Sequence, residues 1–168
     1  GRSGGGNLAD LVDAELAVGQ AAQAAATGVA LVASLAGGRD EKSLVYARVN
    51  LSAALLALGE HELARPHLHA GWAQAPLFDM QHPYADYLAL LAALDGRFDA
   101  AAGLAAYADA ANARVGLREH NEAAAHARAV QLARAALGDA AFDRLHAEGA
   151  ALRDADIEAL AFGEGNAR

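Results

Sequence analysis

Seven histidines, placed among spread carboxylates, are the residues of this 168-residue chain whose types invite a search for chemistry. His67 and His69 sit two apart on a helical stretch, where i and i+2 point about 200° apart, so the pair is poorly set to chelate one ion. An exposed histidine beside a half-buried one is the plainer expectation. His120 and His126 are not helical neighbours either, and His61 with Glu60 and Glu62 reads as a turn of solvated charges. Ser3, Ser34, Ser43 and Ser52 have no His and Asp pattern beside them that would activate a nucleophile. Gly4-Gly5-Gly6 lacks both the spacing and the lysine of a phosphate loop. Cysteine is absent, which removes disulfides and thiolate chemistry. The chain therefore reads as non-catalytic, with no metal site and no cofactor.

The elements that would position any site are helices. Alanine supplies 49 of the 168 residues, against four Phe, four Tyr, one Trp and three Pro. Alanine loses no side-chain entropy on entering a helix, so an all-α fold is close to forced. It also buries little area, and such helices must approach closely to gain stability. The net charge is −8, with twelve Arg, a single Lys and no basic run. Nothing here would release counterions from a phosphate backbone, so direct nucleic-acid contact is not expected. Ala17 to Gly38 is uncharged and long enough to span a bilayer, but it is mostly Ala and Gly with Gln20, Gln23, Thr27 and Ser34. It reads as a buried helix rather than a membrane segment. Residues 1–6 read as a linker or cloning scar and 164–168 as a disordered tail. Between them, 7–163 reads as one domain, a piece of a larger protein located in the cytoplasm.

Along the chain, Asn7 or Asp10 caps a first helix running to about Ala36, bent at Gly19 or Gly28. Gly37-Gly38 and a polar Arg39-Asp40-Glu41 turn separate it from a helix over about Glu41 to Leu58. After Gly59 comes a helix in which Pro66 would delete an internal hydrogen bond at a cost of about 3 kcal/mol. That predicts a late start near Leu63 or a bent first turn. Pro76 ends this helix and Leu77 to Gln81 form a loop. Pro83 then suits the first turn of the next helix. Gly96-Arg97 is another turn, followed by helices over about Phe98–Ala113, Arg118–Leu137 and Gly138–Glu148. A last turn is capped by Asp154 or Asp156.

One hairpin nearly recurs. Asn50-Leu51-Ser52, Leu55, Gly59-x-His61-x-x-Ala64, Leu68, Gly71 and Pro76 are followed, thirty-seven residues on, by Leu88-Ala89, Gly96-x-Phe98-x-x-Ala101 and Ala108. This grammar resembles the tetratricopeptide repeat, a helix–turn–helix unit of about 34 residues. Ser52, Ala64, Gly71, Ala89, Ala101 and Ala108 would take the small positions where helices cross. The tail, Leu137-Gly138-Asp139-Ala140-Ala141-Phe142 with Glu148-Gly149, Leu152 and Ile157-Glu158-Ala159-Leu160-Ala161, is similar to the C-terminal end of large bacterial LuxR-type and winged-helix transcriptional regulators and related ATPases. His146 stands where those tails often carry Trp. The resemblance implies a right-handed α-α superhelix of tetratricopeptide-like hairpins acting as the sensor arm of a regulator. Its nucleotide site and DNA-reading domain would lie elsewhere in the parent.

In such an array the first helix of each pair lines a concave face. Tyr46, Asn50, Ala53, Asp86, Tyr87 and Leu90 are then the binding-groove candidates, with the tyrosines offering rigid area and a polar tip. The competing expectation is that Tyr46 and Tyr87 pack against neighbouring helices. Trp72, Phe78, Met80 and Tyr84 read as a hydrophobic lid at the edge. The function expected is recognition of a protein partner, peptide or small effector. The alternative is an oligomerisation or domain-packing module, a homo-oligomer formed through the uncharged first helix.

Overall fold

Glycine decides where these alanine-rich helices stop. A computed structural model describes residues 4–163, and among them are nine α-helices and no strand. They are α1 (Gly4–Ala17), α2 (Ala21–Leu35), α3 (Glu41–Ala57), α4 (His61–Gln74), α5 (His82–Leu94), α6 (Phe98–Val115), α7 (His120–Leu137), α8 (Asp139–Gly149) and α9 (Asp154–Phe162). The all-α expectation is met. The tail expected over 164–168 lies outside the described residues.

Three of the turns share one construction. Gly19, Gly59 and Gly96 have φ of +84°, +79° and +76°, the left-handed region that side chains with a Cβ avoid. In each, the glycine N–H donates to the carbonyl three residues back: Leu16 at 3.0 Å, Leu56 at 3.0 Å and Ala93 at 3.1 Å. The next N–H, of Gln20, Glu60 or Arg97, donates five residues back to Glu15, Leu55 or Ala92, each at 2.9 Å. These paired bonds satisfy carbonyls that a helix end leaves orphaned. The helices so joined are α1 with α2, α3 with α4, and α5 with α6.

Several sequence expectations are corrected here. The first helix does not run to Ala36; it is cut in two at Gly19, and it starts at Gly4, inside the stretch read as a linker. α4 starts at His61 rather than Leu63 and carries Pro66 within it. Its lost N–H belongs to the second turn, on a side of the helix that faces solvent, where water can serve the Glu62 carbonyl. A single 3₁₀ turn, Ala75–Phe78, occupies part of the expected loop, and α7 begins at His120 rather than Arg118. Asp40 caps α3 by accepting from the Ser43 N–H at 3.1 Å, and Asp156 accepts from the Arg153 N–H at 2.9 Å to close the start of α9.

The chain divides into two compact units, residues 1–80 and 81–168. In the first, α3 rests on both α1 and α2, and α4 packs on α3. Val45, Val49, Leu51, Leu56 and Leu68 are its buried centre, each stabilising by about 1.5–3 kcal/mol on leaving water. Gly28 of α2 lies against α3 so closely that a Cβ there would stand 3.1 Å from the Leu51 side chain.

In the second unit, α7 rests on both α5 and α6, and α8 packs on α6 and α7. Tyr84, Leu88, Leu91, Leu104, Phe142 and Ile157 are buried here. Gly149 of α8 meets α6 at Gly103, where a Cβ would come 2.6 Å from the Gly103 carbonyl oxygen. The Glu-Gly of the tail motif thus has a physical reason: only glycine allows this crossing. The small positions Ser52, Ala64, Gly71, Ala89, Ala101 and Ala108 are all buried. Among the described residues, no helix is long and apolar enough to cross a membrane.

Candidate functional site

α5 is the most enclosed helix of the second unit, with every residue from Tyr84 to Ala93 buried. One of those residues is a carboxylate. Asp86 has no exposed surface, and a charge in that position must be matched by partners. Its Oδ2 accepts from Arg118 Nε at 3.0 Å and from Asn112 Nδ2 at 3.1 Å, and its Oδ1 lies 3.0 Å from His126 Nδ1. The Asn112 amide is oriented by a second bond, to the Ala108 carbonyl at 2.9 Å.

Asp109, one turn before Asn112 on α6, forms the outer half of the cluster. Its Oδ1 accepts from Arg118 Nη2 at 2.9 Å and lies 3.4 Å from His126 Nε2. Its Oδ2 lies 2.9 Å from His146 Nε2. Partial burial pushes the Asp109 carboxyl up, but hydrogen bonds from Arg118 and His146, with the charges of His126 and Arg118, hold it below the usual carboxylate value. Burial opposes the charge on Arg118, yet its bonds to Asp109 and Asp86 and their charges raise its pKa further.

Each member is placed by local structure. Gly116, with φ +76°, ends α6 and turns the chain so that Arg118 comes back over it. A capping box at Glu119 and Glu122 starts α7 and sets the rotation that aims His126 inward. His146 stacks on Phe142 with ring centroids 5.6 Å apart. The Arg134 guanidinium lies 4.2 Å from the same Phe142 ring and pairs with Asp139 and Asp143 at 3.0 and 2.8 Å. The unit's end is fastened separately: Arg97 donates to the Leu160 carbonyl at 2.7 Å and to that of Ala161, and the Tyr107 hydroxyl donates to Asp154 at 2.5 Å. Burial, then the bond to Asp154, pushes the Tyr107 phenol well above its usual value.

Chemically the cluster is closed on itself. The Asp86–His126 pair has the form of a carboxylate orienting a general base, but the second ring nitrogen faces Asp109 where a reactive hydroxyl would be needed. A cation seeking the Asp109 oxygens would have to displace Arg118 and the histidines.

The groove candidates are placed differently from one another. Asn50 is buried in the first unit and donates to the Ala9 carbonyl at 2.9 Å, tying α3 to α1. Asp86 is the centre of the ion cluster, and Ala53, Tyr87 and Leu90 are buried. Tyr46 is half-buried. The expectation that all six project from an open face therefore needs correction, because the helices carrying them are enclosed on most of their circumference. Trp72 and Tyr84 are buried as well, with Phe78 and Met80 half-exposed. His67 is half-buried beside exposed His69; burial, with help from the Arg48 charge, lowers its pKa.

Sequence reasoning overlooked Asp109, Asn112, Arg118 and His146 as a set. One signal was present: a lone carboxylate, Asp86, inside an otherwise apolar run from Tyr84 to Ala93.

The described residues define an all-α protein of helical hairpins, with a part-buried histidine–aspartate–arginine network around Asp86 in its second unit. Set against known proteins, the chain matches no family model, no curated protein and no solved structure.

Proposed function

We propose that this chain is a non-catalytic recognition domain of tetratricopeptide type within a bacterial regulatory protein. It would act in the cytoplasm on a protein partner, a peptide or a small effector. The observation that carries the reading is the turn used three times, at Gly19, Gly59 and Gly96, with the same pair of hydrogen bonds each time. Hairpins repeated at a spacing near that of the tetratricopeptide unit are modules for building surfaces, and a right-handed superhelix is the arrangement the resemblance implies. Tyr46 is the groove candidate that keeps appreciable exposure, and it offers rigid amphipathic area.

A displayed random-peptide library and a thermal-shift panel of nucleotides and amino acids test the proposal. The expected result is enrichment of one peptide class, or a melting shift with one effector class, that is lost in Tyr46→Ala. No enrichment and no shift would sink it.

The packing-module reading is favoured by a different observation. Leu8 and Leu11 of α1, Val18 of the turn that follows it and Val29 of α2 are exposed, at 44%, 43%, 73% and 55%. Sedimentation of the native chain against Val18→Asp/Val29→Asp distinguishes it: a dimer lost in the variant supports assembly.

A further inference from the structure

His126 stands between two carboxylates. Its Nδ1 lies 3.0 Å from Asp86 Oδ1 and its Nε2 3.4 Å from Asp109 Oδ1. A neutral imidazole carries one N–H and one lone pair. Whichever tautomer it adopted, a lone pair would therefore point at a carboxylate oxygen. An imidazolium presents N–H to both.

Charge balance leads to the same state. Asp86 and Asp109 bring two negative charges and Arg118 one positive. Asp86 is wholly buried, and an uncompensated charge in such a place is strongly disfavoured. A proton on His126 brings the sum to zero. His146 is not required to supply it, because its Nε2 needs one N–H to reach Asp109 Oδ2 at 2.9 Å, which a neutral ring provides. The charged groups facing His126 are thus Asp86 from α5, Asp109 from α6 and Arg118 from the α6–α7 connection. His146 of α8 reaches it through Asp109. On its own helix, Glu122 one turn earlier accepts from the Glu119 N–H at 3.2 Å in the capping box.

We infer that His126 is held as an imidazolium between Asp86 and Asp109, so that a proton pins α7 to α5 and α6. Release of that proton turns a lone pair toward a carboxylate and leaves the cluster with one negative charge in excess. α7 is then the helix that loosens. Seating of α7 is linked to proton uptake, a conformational device independent of any ligand the domain recognises.

Long-range proton–nitrogen spectra of the histidine rings in the full chain near neutral pH test this directly, with exposed His120 as an internal reference. The expected result is that both His126 nitrogens carry protons and the bare-nitrogen signal is lost. In Asp109→Asn one carboxylate is gone and the remaining charges cancel without the extra proton, so His126 should revert to a single N–H on Nδ1. A bare nitrogen on His126 in the native chain overturns the inference, and so does retention of both protons in Asp109→Asn. The native spectrum decides the matter even where the variant fails to fold.

Discussion

Replacing Asp86 by alanine removes three hydrogen bonds from one fully buried carboxylate. Breaking a buried ion pair by deleting one partner costs about 3–5 kcal/mol, chiefly because the other partner is stranded. Arg118 keeps its 2.9 Å bond to Asp109, and both Arg118 and His126 retain some exposure, 23% and 19% for their side chains. The loss should therefore fall at the low end, about 3 kcal/mol. With a urea dependence of about 1.5 kcal/mol/M, that moves the unfolding midpoint down by about 2 M. Amide exchange should accelerate by about two orders of magnitude in α5, α6 and α7, since each 1.4 kcal/mol is a factor of ten. Asp86→Asn keeps the shape but cannot accept from all three donors, and should lose nearly as much. A loss below about 1 kcal/mol in the alanine variant would refute the claim that this carboxylate is an obligatory partner.

Two glycine substitutions should separate backbone strain from collision. Gly59→Ala meets nothing within 4 Å and should cost about 1 kcal/mol from its left-handed φ alone. Gly149→Ala would drive a Cβ to 2.6 and 2.7 Å from Gly103 backbone atoms and should cost more than 2 kcal/mol, on the order of an overpacked core; equal costs in denaturation would contradict the helix-crossing account. Arg97→Ala strips the donor from the Leu160 and Ala161 carbonyls. Fast amide exchange confined to α9, and a loss of about 1–3 kcal/mol, are expected, with no change in α9 exchange counting against the clamp. Asp109 titrates below its ordinary 3.8 in the folded chain. Its contribution is thus fully present above 3.8 and is lost as the pH falls through the lower folded value. Asp109→Asn should flatten the acid limb of the stability curve, and an unchanged limb would show that the carboxylate contributes nothing there.

What the sequence made legible was whatever is encoded locally. Gly59 and Gly96 follow leucine-patterned helices and precede a new apolar face, so the break is visible on both sides. Gly19 has alanine-rich sequence after it and no change of pattern, so a cut between two helices looked like a bend in one. Pro66 weighs less on the helix start than its missing N–H suggests, because one missing N–H on an exposed side does not delay a helix that its other contacts hold in place. The ion network could not be read in advance. Its members come from α5, α6, a connection, α7 and α8, and apart from Asp109 and Asn112 on α6 none lies beside another in a spacing with meaning. The burial of Asn50 and Asp86 is not legible in the sequence because a helical wheel gives the angle between side chains but not which neighbours cover them.

The shared glycine turns also order events in time. Each is closed by bonds reaching back three and five residues, so a hairpin needs only a few adjacent residues to register its two helices. Contacts that close in sequence form early. The pairs α1/α2, α3/α4 and α5/α6 should therefore zip as soon as they leave the ribosome. The bonds of Asp86 have to wait for Arg118 and for His126 of α7, and only the contact of His146 with Asp109 waits for α8. Until α7 is made, Asp86 lacks two of its three bonded partners, so the second unit is a nascent intermediate whose central carboxylate still keeps water, and that water is exchanged for protein only after the α5/α6 hairpin has formed.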